Sequence, residues 1–185
     1  MNKRIAGVLF AAGLLVAGCA GFSKEAQKRN PAPCPSTVAL IDAARVIEFD
    51  GEERLDDIAY TAEITNVSSQ CRYFADNPID ATVEIDFAFG KGPKGADGEK
   101  YFKYFVAVTR KDLEVIGKNE FVIPVEFGEK RTIVVKSDEI DKIVIPRKDE
   151  EISGANFEIV VGFELTPEQA IFNRSGKSLK FPDIQ

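Results

Sequence analysis

Apolar and polar residues alternate with period two over four stretches of this chain. Ile58, Tyr60, Ala62 and Ile64 fall on one side of an extended segment, with Ala59, Thr61, Glu63 and Thr65 on the other. Val83, Ile85, Phe87 and Phe89 alternate in the same way with Thr82, Glu84 and Asp86. Phe121, Ile123, Val125 and Phe127 alternate with Glu120, Val122, Pro124 and Glu126. Phe157, Ile159, Val161, Phe163 and Leu165 do so with Glu158, Val160, Gly162 and Glu164. Successive side chains of a strand point to opposite faces, so this pattern describes strands with one buried face.

Shorter runs rich in β-branched or aromatic residues, bounded by turn formers, add strands at 38–41, 45–49, 102–109, 132–136 and 140–145. Eight or nine short strands without a long helical period predict an all-β fold, an antiparallel β-sandwich of the immunoglobulin or fibronectin type III kind. No tryptophan is present to pack on a disulfide, and Ser69 stands where a tyrosine corner would fall, so that likeness is one of architecture. Pro124 has no N–H for a ladder and places its strand at an edge or a bulge. After Leu165, the order Thr166, Pro167, Gln169 is a helix start with a capping box, which predicts a short C-terminal helix.

The amino terminus follows a different rule. Lys3 and Arg4 precede an uncharged apolar run over residues 5–16, the layout of a secretory signal. Leu15-Val16-Ala17-Gly18-Cys19 resembles the lipobox of bacterial lipoproteins, cut by signal peptidase II before a cysteine that is acylated. The competing reading is a membrane-spanning helix, since residues 5–22 carry no charge, at the lower limit of length for crossing a bilayer. Gly7, Gly13, Gly18 and Gly21 weaken such a helix. The lipobox resemblance implies a signal peptide over 1–18, lipidation at Cys19 and membrane attachment through several acyl chains, each buried CH₂ contributing about 0.8 kcal/mol. With Ala20 and not Asp after the cysteine, it further implies the outer membrane, facing the periplasm.

Charge and cysteine count then fall into place. Removing residues 1–18, which carry Lys3 and Arg4 and no acid, leaves 167 residues and moves the net charge from −6 to −8. A chain of that size makes one domain. Its acidity disfavours nucleic acid as a partner. Acylation of Cys19 leaves Cys34 and Cys71, an even pair in an oxidising compartment, which predicts a disulfide. The alternative, a metal or redox pair, lacks histidine and the C-x-x-C spacing. The resulting organisation is a lipidated tether over 19–33, the sandwich over 34–175 and a polar tail over 176–185.

Candidate chemistry is sparse. Gly90-Lys91-Gly92-Pro93-Lys94-Gly95 matches G-x-G-x-x-G after a strand, but Ala96-Asp97-Gly98-Glu99 continues as turn where a nucleotide site needs a helix. A hairpin loop is the reading that fits. Asp50, Glu52, Glu53, Asp56 and Asp57 crowd one connection, either as a solvated acidic loop or as a calcium site without EF-hand spacing. With no histidine and no spare thiol, no catalytic residue, metal or cofactor is expected. The segment around Phe102, Tyr104, Val106 and Val108 is unusual in carrying Tyr101, Phe105 and Ala107 on its other face. Tyr101 and Phe105 are either a docking surface for a partner or are buried by a loop or the terminal helix.

Cys71-Arg72-Tyr73, Tyr104-Phe105-Val106-Ala107-Val108 and the run 161–169 are similar to segments of a family of uncharacterised bacterial envelope lipoproteins, which brings no catalytic residues. The expectation is a non-enzymatic, lipid-anchored envelope protein that binds or braces another envelope component. The alternative is a periplasmic carrier or chaperone holding an apolar ligand between its sheets.

Overall fold

The computed structural model describes residues 33–112 and 114–181. The signal peptide, Cys19 and nearly all of the expected tether lie outside them. Eight strands form two packed four-stranded sheets: β1 (Ser36–Ala39), β2 (Arg45–Phe49), β3 (Ile58–Arg72), β4 (Ile79–Lys91), β5 (Gly98–Arg110), β6 (Val115–Phe127), β7 (Ile133–Ile145) and β8 (Phe157–Phe163). One sheet has the order β1-β8-β5-β6 and the other β2-β3-β4-β7. This is the all-β sandwich expected. Every pairing is antiparallel except that of β1 with β8, which is parallel. The whole domain separates those two strands, so no hairpin dictates their relative direction. The likeness to the immunoglobulin class lies in the two layers, since β2, β3 and β4 form a simple meander where that class orders one sheet A-B-E-D.

The period-two residues build the core. Val83, Ile85, Phe87 and Phe89 of β4 are fully buried, and so are Ile159 and Val161 of β8. Facing them are Phe102, Tyr104, Val106 and Val108 of β5 and Ile123, Val125 and Phe127 of β6. Rings stack through the middle: Phe87 lies 5.0 Å from Tyr104, and Phe89 4.8 Å from Phe102. Burying a side chain of this kind contributes about 1.5–3 kcal/mol, so the stripe holds the two layers together. Pro124 sits on β6, an edge strand, as its missing N–H requires.

Two bulges explain where the sequence pattern breaks. Opposite Asp86 and Phe87, β3 carries an extra residue at Thr65, so its inward set steps from Ile64 to Val67. In β7, the pairs Ala81–Ile143 and Val83–Ile140 enclose an extra residue, with Lys142 at φ +60°. The inward residues Ile140 and Ile143 are therefore three apart. That phase change makes one 13-residue strand read as the two segments 132–136 and 140–145.

Two further expectations are corrected. The glycine-rich loop is not a hairpin; it carries the chain from β4 in one sheet to β5 in the other. Its N–H groups at Gly92 and Lys94 donate to the carbonyls of Ala59 and Ile58, each at 2.9 Å. A Cβ on Gly92 would come within 2.3 Å of the Ile58 carbonyl oxygen, so the glycine serves close backbone approach. The tail expected from Gly176 also belongs to the fold as far as Phe181. Gly176 turns at φ +73°, and Phe181 then packs 5.3 Å from Phe49. Phe49, Phe172 and Phe181, with Ile47 and Ile58, form a second small core. The helix α1 (Pro167–Arg174) closes it, starting with the anticipated box: Gln169 N–H to Thr166 Oγ1 at 3.2 Å and Thr166 N–H to Gln169 Oε1 at 2.9 Å.

Candidate functional site

The helix α1 covers β2, not β5; on the outer face of the β1-β8-β5-β6 sheet the short 3-10 turn Ile41–Ala43 packs at Gly162 and leaves Tyr101 uncovered. The composition of that face follows from the ladder register. Val38, Val160, Ala107 and Lys118 form one cross-strand row; Gly162, Phe105 and Glu120 form the next; Lys103 stands beside Val122, and Tyr101 beside Pro124. Apolar residues therefore fall on all four strands as a band, with Lys118, Glu120 and Lys103 between its Val38 end and its Val122 end. Val38, Tyr101 and Val122 on it are 39%, 58% and 53% exposed, and Leu40 just after β1 is 44% exposed.

Tyr101 and Phe105 share this face but not the same surroundings. Phe105 is half-buried, its ring seated on Gly162, where a Cβ would approach the ring to 2.8 Å and the Ala43 methyl to 2.9 Å. Over the ring lies Lys118, with Nζ 4.8 Å from the centroid. That ammonium is pinned by Glu164 at 2.6 Å and Glu120 at 3.3 Å, and the Glu164 hydrogen bond holds its pKa above the ordinary lysine value. A cation over an aromatic face is itself attractive, so Phe105 is a seat beneath a polar bridge. Tyr101 stands free of such a cover. Its hydroxyl donates to the Glu99 carboxylate, which pushes its pKa up.

The Lys118 bridge and the Val122–Pro124 neighbourhood of Tyr101 are absent from the sequence reading. The signal for them was the β5–β6 hairpin: counting back from its turn sets Phe105 opposite Glu120 and Tyr101 opposite Pro124.

The opposite sheet presents a different surface. Asp86 accepts hydrogen bonds from Ser137 and from Asn66 at 3.1 Å, and these hold its carboxyl below the usual range. Around it stand Thr65, Ser68, Glu84 and Glu139. In the acidic connection, Asp57 is buried and turned inward, its Oδ2 accepting from Glu52 N–H at 3.3 Å and Arg54 Nε at 3.1 Å. Glu53 pairs with Lys177 at 2.6 Å. Among the described residues, no three acid or cysteine side chains converge on a common point.

Cys34 and Cys71 are bonded, with Cα atoms 5.7 Å apart, and fasten the start of β1 to the end of β3 in the other sheet. The chain leaves the described residues beside this bridge. There the Pro33 carbonyl accepts from the Tyr73 hydroxyl at 2.9 Å, and Gly154 N–H donates to the same hydroxyl at 3.3 Å. Cys19 lies beyond it, outside the described residues. In comparisons with known proteins, the chain matches no family model, no curated protein and no solved structure.

Proposed function

We propose that this is a lipid-anchored protein of the bacterial envelope, attached through Cys19 to the periplasmic side of the outer membrane. It binds or braces another envelope component through the outer face of the β1-β8-β5-β6 sheet and performs no chemistry of its own. The observation that carries the docking part is the exposed band of Val38, Leu40, Tyr101, Val122 and Pro124, which no element of the fold covers. Apolar side chains rimmed by charge, here Lys103, Lys118, Glu120 and Glu164, are the composition of a binding patch. The anchor rests on the lipobox resemblance and on the sequence pattern before it.

Two experiments test the parts separately. Labelled palmitate should enter the wild-type chain and not Cys19→Ser; equal incorporation removes the anchor. Tyr101→Ser with Val122→Glu, both at exposed positions, should leave the melting temperature near that of the wild type and abolish co-purification of a partner from membranes. Retained co-purification removes the docking face.

The carrier reading is favoured by one feature, a cleft of about 520 Å³ where the sheets part between β6 and β7. Val106, Val108, Ile116, Phe121, Ile140 and Ile143 line its apolar side. A small molecule retained after organic extraction of the purified chain would favour the carrier over the brace.

A further inference from the structure

The end of the sandwich from which Pro33 departs holds a second cleft, of about 320 Å³, between the β5–β6 turn and the β7–β8 connection. Its wall is mostly apolar, formed by Pro146, Ile152 and the buried Phe157. Its rim carries three cations, Arg110, Lys111 and Lys148, against one acid, Asp112. Arg110 is paired with Glu114 at 3.3 Å, and the Asp112 carboxylate accepts from Glu114 N–H at 3.2 Å. Lys111 and Lys148 have no ion-pair or hydrogen-bond partner for their ammonium groups among the described residues. These two ammonium groups border the apolar floor, while Asp149, Glu150 and Glu151 follow Lys148 in the same connection and Asp149 is turned onto the Glu151 and Ile152 N–H groups.

The cleft is held in shape by its surroundings. Arg147, between Pro146 and Lys148, donates to the carbonyls of Asn77 at 2.7 Å and Ile152 at 2.8 Å and to that of Ala75, and stacks 4.8 Å from the Tyr73 ring. Lys111 N–H donates to the Asn156 carbonyl at 3.2 Å, joining the two lips. The Cys34–Cys71 bridge and the Tyr73–Pro33 hydrogen bond fix the departing chain to the same end. A pocket already ordered loses little entropy when it is filled.

We infer that this cleft binds the phosphate headgroup of an anionic membrane lipid, with Lys111 and Lys148 on the phosphate and the Pro146–Ile152–Phe157 wall against the glycerol and first methylenes. The inference deepens the membrane-anchored reading and rests on it: the chain toward Cys19 departs at Pro33, on this end of the sandwich. A free phosphate would satisfy the lysines but not the apolar wall. Each lysine near an anionic headgroup contributes about a fivefold gain in affinity.

The test uses the isotope-labelled full chain in an uncharged detergent, titrated with short-chain phosphatidylglycerol, short-chain phosphatidylcholine and inorganic phosphate, and followed by amide chemical shifts. Phosphatidylglycerol should move Lys111, Lys148 and Asn156 at concentrations well below those needed for inorganic phosphate. Lys111→Gln with Lys148→Gln should weaken it about 25-fold while the remaining spectrum stays that of the wild type. Equal affinity for inorganic phosphate and phosphatidylglycerol would show an anion site with an idle wall and overturn the lipid assignment. Equal binding of phosphatidylcholine, or no shift at these residues, would overturn the site. Detergent-held protein reports on the cleft whether or not Cys19 is acylated, so this outcome is separable from the palmitate result.

Discussion

Tyr104 places the largest fully buried side chain of the core where its hydroxyl reaches the half-buried Asp138 carboxylate at 2.6 Å. Burial, and then that hydrogen bond and charge, hold its pKa well above the ordinary tyrosine value of 10.0. A raised pKa favours the neutral form in the folded state. Its contribution is therefore complete below pH 10 and falls as the pH rises beyond it, because only the unfolded chain then gives up the proton. The slope is about 1.4 kcal/mol per pH unit for this one group. Urea unfolding between pH 9 and 11.5 should show wild type losing that increment relative to Tyr104→Phe, which at neutral pH should be about 1 kcal/mol less stable for want of the hydrogen bond. Parallel pH profiles for the two proteins would contradict the assignment. Gly162 offers a steric counterpart. Gly162→Ala forces a methyl into the Phe105 ring and the Ala43 methyl and should cost about 1–3 kcal/mol. Gly117→Ala meets nothing within 4 Å and should be nearly neutral in the same melt. Little of this was legible beforehand: a period-two pattern tells that Phe105 points outward, but that Lys118 and Glu164 bridge over it depends on three strands meeting in one register.

At the scale of elements, the four strands with unbroken alternation were readable because each has one dry face and one wet one. β7 was not, since the bulge at Lys142 shifts its phase, and its inward positions Lys136 and Asp138 are charged. Charges turned inward on an edge strand impede pairing with another chain, so β7 trades sequence clarity for protection of its edge. The Lys136 ammonium reaches across to the Pro124 carbonyl of β6, tying the two free margins together. The carboxyl-terminal segment misled for another reason: Lys177, Ser178 and Lys180 are polar, and of the apolar pair Leu179 and Phe181 the first is exposed while the second packs. Truncation after Ser175 should remove the third ring of the Phe49–Phe172–Phe181 cluster and lower stability by about 2 kcal/mol, read as an earlier urea midpoint. An unchanged midpoint would return these residues to the status of a tail. Opening the disulfide, which closes a loop of 37 residues' separation, should cost roughly 4 kcal/mol at most in the chain-entropy model. Unfolding with and without reductant measures it, and an indifferent midpoint would show that the bridge constrains nothing.

For the whole molecule, alternation identifies faces but not neighbours, so two layers were foreseeable while the meander, the sheet-crossing connections and the parallel β1–β8 pair were not. The complete molecule also bears on the choice between brace and carrier. Phe87, Phe89, Tyr104 and Phe163 fill the middle of the space between the sheets, so the cleft of the carrier reading lies at the β6–β7 margin. The two sheets differ in their outer surfaces: one is polar around Asp86, partly roofed by α1, and exposes Ile133, Val135 and Val144 only along its edge strand β7; the other exposes apolar residues on β1, β5 and β6. That asymmetry is the central support for docking through one face, and it is directly measurable. A photo-crosslinking residue placed at Val122 on the banded face, or at Glu84 on the polar face, is activated in intact cells and the membrane fraction is resolved for adducts. The account predicts a discrete, reproducible adduct from position 122 and none from position 84. Adducts of equal yield from both positions, or from position 84 alone, would contradict it.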